Sequence, residues 1–119
     1  MLSDIQIKKK IEILTNKLNV GRFNEVIEET SILLKKNKHQ VLFNILSLAY
    51  QSIGEFKKSE ITMSEALKLN PNNPYFLNNM GTTQHKIGNF VKAEEHFVRG
   101  LKIVPNYINI LNNLGNLKK

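Results

Sequence analysis

The chain repeats itself at intervals of 34 residues, and this repetition constrains its fold more than any other feature of the sequence. Residues 54–56 (Gly-Glu-Phe) are matched by residues 88–90 (Gly-Asn-Phe), and Pro71 is matched by Pro105 at the same spacing. The same frame pairs Phe43 with Leu77, Leu46 with Met80, and Leu77, Met80 and Gly81 with Leu111, Leu114 and Gly115. A unit of this length holds one supersecondary element, so the chain is predicted to be a stack of similar elements.

Each unit is predicted to contain two helices, and the unit that starts at residue 74 shows this most clearly. Asn73 is a good N-cap and Pro74 suits the first helical turn. Gly88 interrupts the helical pattern and tolerates the positive φ of a tight turn. Val104 precedes Pro105 and is therefore biased away from the helical region, which ends the second helix. The unit is thus an antiparallel helical hairpin, here called helix A followed by helix B.

Small residues recur where the two helices of a hairpin are expected to touch. Gly81 on helix A is predicted to lie against Ala93 on helix B, and Ser47 and Ser59 take the same places one unit earlier. A large side chain at these places would push the helices apart. The inner face of the third helix B is predicted to consist of Phe90, Ala93, Phe97, Gly100 and Leu101.

This arrangement resembles the tetratricopeptide repeat, in which a Leu-Gly pair in helix A precedes a small residue and an aromatic residue in helix B and a terminal proline. Residues 74–107 and 40–73 match the pattern well, residues 7–39 are a degenerate copy, and residues 108–119 supply helix A of a further repeat. The resemblance implies one all-α domain over residues 1–119, a right-handed α-solenoid of antiparallel helix pairs with about seven helices. The last helix is either a solvating cap, aided by Lys118 and Lys119, or a segment that continues in a longer protein. The second reading is favoured because Leu111, Leu114 and Gly115 follow the internal pattern.

The net charge of +7 comes almost entirely from lysine, since Arg22 and Arg99 are the only arginines. Readers of nucleic acid usually use arginine, whose planar fork makes bidentate contacts, so nucleic acid is not the expected partner. The lysine clusters at residues 8–10, 35–36 and 57–58 are predicted to be solvated helix ends and outer faces. No apolar run is long enough to span a membrane, and the start of the chain lacks the apolar centre of a signal peptide. A cytoplasmic location without membrane contact is therefore expected.

No catalytic, cofactor or metal site is expected from the sequence. The chain has no cysteine, which excludes disulfides and thiolate metal sites. His39 is predicted to lie in a linker, while His85 and His96 fall on different helices and cannot form a metal pair. His96 is expected on a solvated surface with Glu94 and Glu95. Phosphate-binding loops and nucleophile motifs are also missing from the sequence.

The helices A of such stacks line a concave groove, and in this chain their groove positions are rich in asparagine. An amide offers both a donor and an acceptor, so a row of asparagines can pair with the backbone of an extended peptide without reading its sequence. The row is similar to the asparagine ladder of the tetratricopeptide stacks of protein O-glycosyltransferases, where asparagine precedes Leu-Gly as Asn113 does here. The predicted groove residues are Asn44, Gln51, Asn78, Asn79, Thr82, His85, Asn112, Asn113 and Asn116.

A clamp for acidic C-terminal tails is not expected, because such clamps need lysine and arginine in the groove and the first helix A offers Ile11 and Thr15. The sequence therefore predicts a non-catalytic scaffold that binds a protein or peptide segment. Two alternatives stay open. The chain could be the substrate-recruiting N-terminal part of a larger enzyme, such as a glycosyltransferase or sulfotransferase. It could also self-assemble through the apolar side of its last helix, which carries Ile108, Leu111, Leu114 and Leu117.

Overall fold

The computed structural model describes residues 2–117, and over these residues the chain forms seven helices and no strand. Lys118 and Lys119 lie outside the described residues. The helices are α1 (Asp4–Asn19), α2 (Phe23–Leu34), α3 (Gln40–Ser52), α4 (Phe56–Leu69), α5 (Pro74–Ile87), α6 (Phe90–Ile103) and α7 (Ile108–Leu117). The odd-numbered helices are the helices A of the repeats and the even-numbered ones are the helices B. The predicted all-α solenoid is confirmed.

Local chemistry explains where the helices begin and turn. The Ser3 hydroxyl accepts a hydrogen bond from the Gln6 amide and the Gln6 side chain accepts one from the Ser3 amide, a capping box at the start of α1. The Asn73 side chain accepts hydrogen bonds from the first amides of α5, as predicted. Within each hairpin the turn contains a glycine with positive φ, and at the predicted Gly88 this angle is +99°. A side chain there would be strained, so glycine is the natural residue at this turn.

The pattern of contacts between helices divides them into two rows. Each helix A contacts the next helix A, from α1 to α3, α3 to α5 and α5 to α7, whereas no helix B contacts another helix B among the described residues. Each helix B packs against the helices A that precede and follow it. The helices A therefore form the inner row of the stack, and their free surfaces line its concave side.

The interior of the hairpins is apolar, with one cluster of buried residues centred on α3 and a second between α6 and α7. Phe43 and Phe76 meet edge to face with ring centroids 6.3 Å apart, which joins consecutive helices A. Phe97 is fully buried in α6 and Ile110 is fully buried in α7. The last helix is thus held to the stack by its own apolar contacts.

One contact at the hairpin was not predicted, and one detail of the predicted packing differs in the structure. The Phe97 ring lies over Gly81, since an added Cβ there would stand 2.4 Å from the Phe97 Cε1 atom. Phe90 is 55% exposed and does not belong to the inner face of α6. It is the first residue of α6, and its ring points toward the end of α5, where it meets His85. Ser47 and Ser59 do approach closely, with their hydroxyl oxygens 2.8 Å apart.

Candidate peptide-binding groove

The inner-row helices α3, α5 and α7 carry almost no charge. In α3, α5 and α7 together, His85 and Lys86 are the only residues of the Lys, Arg, His, Asp or Glu types. The charges lie mainly on the helices B and on α1. A ligand along the groove would therefore meet amides, hydroxyls and apolar side chains.

Asparagines of consecutive helices A are joined by two equivalent hydrogen bonds. The Asn79 side-chain amide donates to the Asn44 side-chain oxygen at 2.8 Å, and the Asn113 amide donates to the Asn78 oxygen at 2.8 Å. All four residues are half-buried. The bonds connect α3 to α5 and α5 to α7, so the same contact is made at two successive junctions of the stack.

The first junction of the stack uses apolar residues at the corresponding positions. Asn44 corresponds to Ile11 in α1 and Asn79 corresponds to Ile45 in α3, and both isoleucines belong to one apolar cluster. The amide pairs therefore begin only at α3. They lie along the part of the inner row that is nearly uncharged.

Other predicted groove residues are engaged in different ways. Thr82 accepts a weaker hydrogen bond from the Asn113 amide at 3.3 Å and donates to the Asn78 carbonyl at 3.0 Å. Asn112 and Asn116 are exposed, and their side chains have no hydrogen-bond partner within residues 2–117. The structure thus brings Thr82 to the paired asparagines and leaves Asn112 and Asn116 open to solvent.

Gln51 and His85 are held by contacts of their own. The Gln51 side chain donates to the Ser47 hydroxyl at 3.2 Å. The His85 ring meets the Phe90 ring edge to face, with centroids 5.5 Å apart. Both residues stand at the carboxyl ends of their helices, beyond the amide pairs.

A chain of buried hydroxyl groups behind the groove was not predicted. The Ser59 oxygen lies 2.8 Å from the Ser47 oxygen and 2.8 Å from the Thr83 oxygen, and all three residues are fully buried. This row of hydroxyl groups runs from α3 through α4 to α5, so it connects two hairpins. Ser47 and Ser59 were predicted to be close because they are small. The hydroxyl group on each could also have indicated a hydrogen bond between them.

Exposed apolar side chains also lie on the inner row of helices. Val41 and Tyr75 occupy the same position in successive repeats, and both are more than one third exposed. Leu48 is 40% exposed and holds in α3 the position that Thr82 holds in α5. The Tyr75 ring meets Tyr107 edge to face with centroids 5.8 Å apart. These residues add apolar contact area beside the amide pairs.

His96 was predicted to lie on a solvated surface, but in the structure it does not. It is half-buried, and its Nδ1 atom lies 2.7 Å from the Gln84 side-chain oxygen and 3.0 Å from the Lys92 carbonyl oxygen. Two acceptors at Nδ1 favour the tautomer in which this nitrogen carries the proton. Burial lowers the pKa of the imidazole, an effect that the hydrogen bond to Lys92 partly opposes. Glu94 and Glu95 are exposed, as predicted.

Three further features bear on the kinds of site that the chain can form. All seven lysines of the clusters at residues 8–10, 35–36 and 57–58 are exposed. Over the described part of the chain, no group of three or more His, Cys, Asp or Glu side chains could hold a metal ion. No helix within it has the length and apolar character needed to cross a membrane.

The fold and the groove define a class of protein, the α-solenoid built of helical hairpins. Two family models described as tetratricopeptide repeat match residues 40–73 and 62–95. Residues 40–95 thus match tetratricopeptide-repeat models, which confirms the resemblance seen in the sequence. The second match runs from α4 into α6, so it covers the junction between two hairpins as well as α5. No curated protein sequence matches the chain.

Solved structures, two of them tetratricopeptide domains, share the fold over at least 91% of the chain at low sequence identity. The first such domain of human RPAP3 superposes with a TM-score of 0.86 at 19% identity, over 91% of this chain and 86% of that one. The second domain of human RPAP3, in complex with the HSP70 peptide SGPTIEEVD, gives 0.84 at 18% identity over 91% of each chain. The Yersinia enterocolitica type III secretion chaperone SycD, in complex with a peptide of the translocator YopD, gives 0.85 at 14% identity over 98% and 95%.

Proposed function

We propose that the chain is a non-catalytic scaffold that binds an extended peptide or protein segment along the concave surface of α3, α5 and α7. Two of the structurally similar domains were solved with a peptide, from HSP70 in one case and from YopD in the other. Their likeness supports a peptide ligand for this fold. The chemistry of the ligand follows from the side chains of this chain.

The observation that carries the proposal is the pair of equivalent amide hydrogen bonds, Asn79 to Asn44 and Asn113 to Asn78. Each bond holds one side-chain amide in a defined orientation before a ligand arrives. Groups that are already ordered lose less conformational entropy on binding, which improves affinity.

The paired asparagines keep part of their hydrogen-bonding capacity. Asn79 retains a side-chain oxygen and a second N–H, Asn113 retains its side-chain oxygen, and Asn78 retains its amide donors. A peptide backbone presents one donor and one acceptor at almost every residue. These groups therefore suit an extended backbone, and the exposed side chains of Leu48 and Tyr75 suit an apolar residue of the ligand.

The near absence of charge on α3, α5 and α7 predicts a ligand without strong charge. Acidic tails such as SGPTIEEVD would find no lysine or arginine on α3 or α7, and only Lys86 on α5. Binding should therefore depend weakly on salt concentration, because few ion pairs would be screened. A steep loss of affinity between low and high salt would contradict this reading of the groove.

The test is a selection of ligands from a phage-displayed library of random dodecapeptides, followed by titration of the selected peptides. Replacement of both Asn79 and Asn113 by Ala should weaken binding by about fivefold to a hundredfold, since two hydrogen bonds contribute about 1–3 kcal/mol together. The matched control is Asn24→Ala, which removes an exposed amide from the outer helix α2. Circular dichroism and urea unfolding would establish that both variants remain folded.

Equal binding by the wild type and the double variant would refute the proposed groove. The same holds if Asn24→Ala weakens binding as much as the double variant. The wider alternative, a substrate-recruiting part of a larger glycosyltransferase or sulfotransferase, stays a prediction. The reading frame of the full gene decides it directly.

A further inference from the structure

The outer row of helices leaves a groove between α2 and α4. No helix B contacts another helix B among the described residues, so each pair is separated by the helix A that lies between them. The space between α2 and α4 has a volume of about 420 Å³, and its floor is formed by α3. Both walls and the floor belong to the interior of the stack, with α1 before them and α5 after them. This space is here called the α2–α4 groove.

The α2–α4 groove has an apolar interior. Phe43, Leu46 and Tyr50 are spaced by three and four residues along α3, so they lie on the face of that helix that floors the groove. Phe43 and Leu46 are buried, and Tyr50 is half-buried. Ile61 of α4 stands on the wall and is 58% exposed. An apolar side chain placed against Ile61 and Tyr50 would remove apolar surface from water, which is favourable.

Three lysines surround this apolar interior. Lys35 follows the last residue of α2, Lys38 lies in the connection to α3, and Lys58 lies in the first turn of α4. All three are exposed, and their ammonium groups have no ion pair or hydrogen bond within residues 2–117. Glu65 is the one acidic residue among the described residues that line the groove. The groove therefore carries an excess of positive charge that no side chain of the described chain neutralises.

The equivalent groove one repeat later, between α4 and α6, keeps lysines on its rim but has a polar interior. Ile61 corresponds to Glu95, and Tyr50 corresponds to Gln84. The Gln84 side-chain oxygen lies 2.7 Å from the Nδ1 atom of His96, so these side chains satisfy one another. The Tyr50 hydroxyl, by contrast, has no hydrogen-bond partner in the described part of the chain. The combination of apolar interior and unpaired cations is thus a property of the α2–α4 groove and not of the repeat in general.

We propose that the α2–α4 groove binds an acidic segment of a partner protein that inserts one apolar side chain between the two helices. The apolar side chain lies against Ile61 and Tyr50, and the carboxylates on either side of it face Lys35, Lys38 and Lys58. A lysine ammonium is a compact charge on a flexible stem, so it can pair with carboxylates that approach from different directions. The segment is recognised by its charge and by its single apolar anchor.

Two observations favour an acidic protein segment over other occupants. A second copy of this chain carries the same net charge of +7, and surfaces of like charge repel one another. The apolar floor is recessed between two helices, so a protruding side chain can reach Phe43 and Leu46 better than the flat surface of a lipid bilayer can.

This site is separate from the concave groove of the asparagines and predicts the opposite response to salt. The ligand of the concave groove is proposed to be weakly charged, whereas binding in the α2–α4 groove depends on ion pairs that salt screens. A failure of either proposal would therefore leave the other in place.

The probes are synthetic heptapeptides in which leucine, isoleucine, phenylalanine or tryptophan stands between two runs of three glutamates. The isotope-labelled full chain would be titrated with each peptide, and its amide resonances would be followed by NMR. We expect saturable shifts at Tyr50 and Ile61 with at least one peptide. The affinity should fall about tenfold or more between about 50 mM and about 500 mM salt. The same peptide with glutamine in place of glutamate should not bind measurably.

One pair of protein variants tests the charges. Replacement of the three groove lysines together (Lys35→Gln, Lys38→Gln and Lys58→Gln) should weaken binding by about fivefold to a hundredfold, since each exposed ion pair contributes modestly. The matched control replaces the three exposed lysines at residues 8–10 by glutamine, which changes the net charge equally on α1. This control should reduce the affinity much less.

A second pair of variants tests the apolar anchor. Ile61→Glu introduces the residue type found at the equivalent Glu95 and should weaken binding by about tenfold or more, because it removes apolar area and repels the acidic ligand. The matched control is Ile32→Glu, since Ile32 is 59% exposed and lines the surface between α1 and α2 instead. Circular dichroism and urea unfolding would establish that every variant remains folded.

Several results would overturn the proposal. One is the absence of saturable shifts at Tyr50 and Ile61 with every peptide at millimolar concentration. Another is an equal loss of affinity in the two lysine variants, which would mean that only the net charge attracts the peptide. Shifts at Asn79 and Asn113 instead would place the acidic ligand in the concave groove. Finally, the chain could sediment with phosphatidylcholine vesicles that contain phosphatidylserine, through the groove lysines and without binding any peptide, and the surface would then serve a membrane.

Discussion

Gly81 and Gly115 occupy the same position in successive helices A, and they predict opposite outcomes for the same substitution. At Gly81 an added Cβ would stand 2.4, 2.6 and 2.8 Å from three carbons of the Phe97 ring. Ordinary carbon contacts lie at about 3.5–4.0 Å, so the ring would have to retreat by about 1 Å or more. Phe97 is fully buried, and protein interiors are close-packed, so this displacement would disturb its neighbours. At Gly115 the added Cβ meets no described atom within 4 Å.

The magnitudes follow from two contributions. Alanine in place of glycine stabilises a helix by about 1 kcal/mol, and this gain applies to both positions. Overpacking a buried contact costs about 1–3 kcal/mol, and this cost applies to Gly81 alone. Gly115→Ala should therefore raise the free energy of unfolding by up to about 1 kcal/mol. Gly81→Ala should lie about 1–3 kcal/mol below it, because the helix gain cancels in the comparison.

Urea unfolding followed by circular dichroism measures both variants against the wild type. Hydrogen exchange of the α7 amides would detect a gain at Gly115 that stays local, since repeat stacks can unfold unit by unit. Equal stability of Gly81→Ala and Gly115→Ala would refute the packing argument. So would a Gly115→Ala variant less stable than the wild type.

Three further predictions concern buried polar groups. The Thr30 hydroxyl is buried without a hydrogen-bond partner within residues 2–117, so Thr30→Val should raise the free energy of unfolding by about 1 kcal/mol. Ser59→Ala should lower it by about 1–3 kcal/mol, because the oxygens of Ser47 and Thr83 each lose their buried contact to Ser59. Burial lowers the pKa of His96 from its ordinary value of 6.5, so the unfolded chain binds the proton more readily than the folded one. The free energy of unfolding should therefore be highest above pH 6.5 and should decrease as the pH falls below 6.5.

Each of these predictions has its own control and contrary result. Urea midpoints measure the first two, and a Thr30→Val variant that is less stable than the wild type would mean that the hydroxyl is satisfied. Ser64→Ala, which removes an exposed hydroxyl from the same helix as Ser59, should change stability little. For His96, unfolding is measured between pH 8 and pH 5. His96→Gln should flatten the dependence, and an unchanged slope would assign it to another group.

The boundaries and turns of the fold could be predicted because they depend on neighbours in sequence. Asn73 caps α5 through bonds to amides two and three residues later, and Gly88 supplies the positive φ of the turn that follows. Both effects act within a few residues. The repeat of 34 residues then places equivalent helices at equivalent positions. The exposed position of Phe90 escaped prediction, since an apolar residue at a helix start can face either way.

The residue types along the inner row of helices were predicted, and the contacts between these residues only partly. The spacing of Asn44, Asn78 and Asn79 marked a row of amides on the inner helices. It did not reveal that Asn79 donates to Asn44, because a bond between two helices depends on their relative rotation and rise. The engagement of Gln51 with Ser47 escaped prediction for the same reason.

The sequence by itself determined a stack of antiparallel helical hairpins, because periodicity, caps and turn glycines are local and each points to the same fold. Only the tertiary structure decided which side chains meet. It placed the Phe97 ring on Gly81, whereas an added Cβ at the equivalent Gly115 would meet no described atom within 4 Å. The physical reason is that such contacts depend on the rotamer of a large side chain and on the distance between helix axes. Neither quantity is set by residues close in sequence.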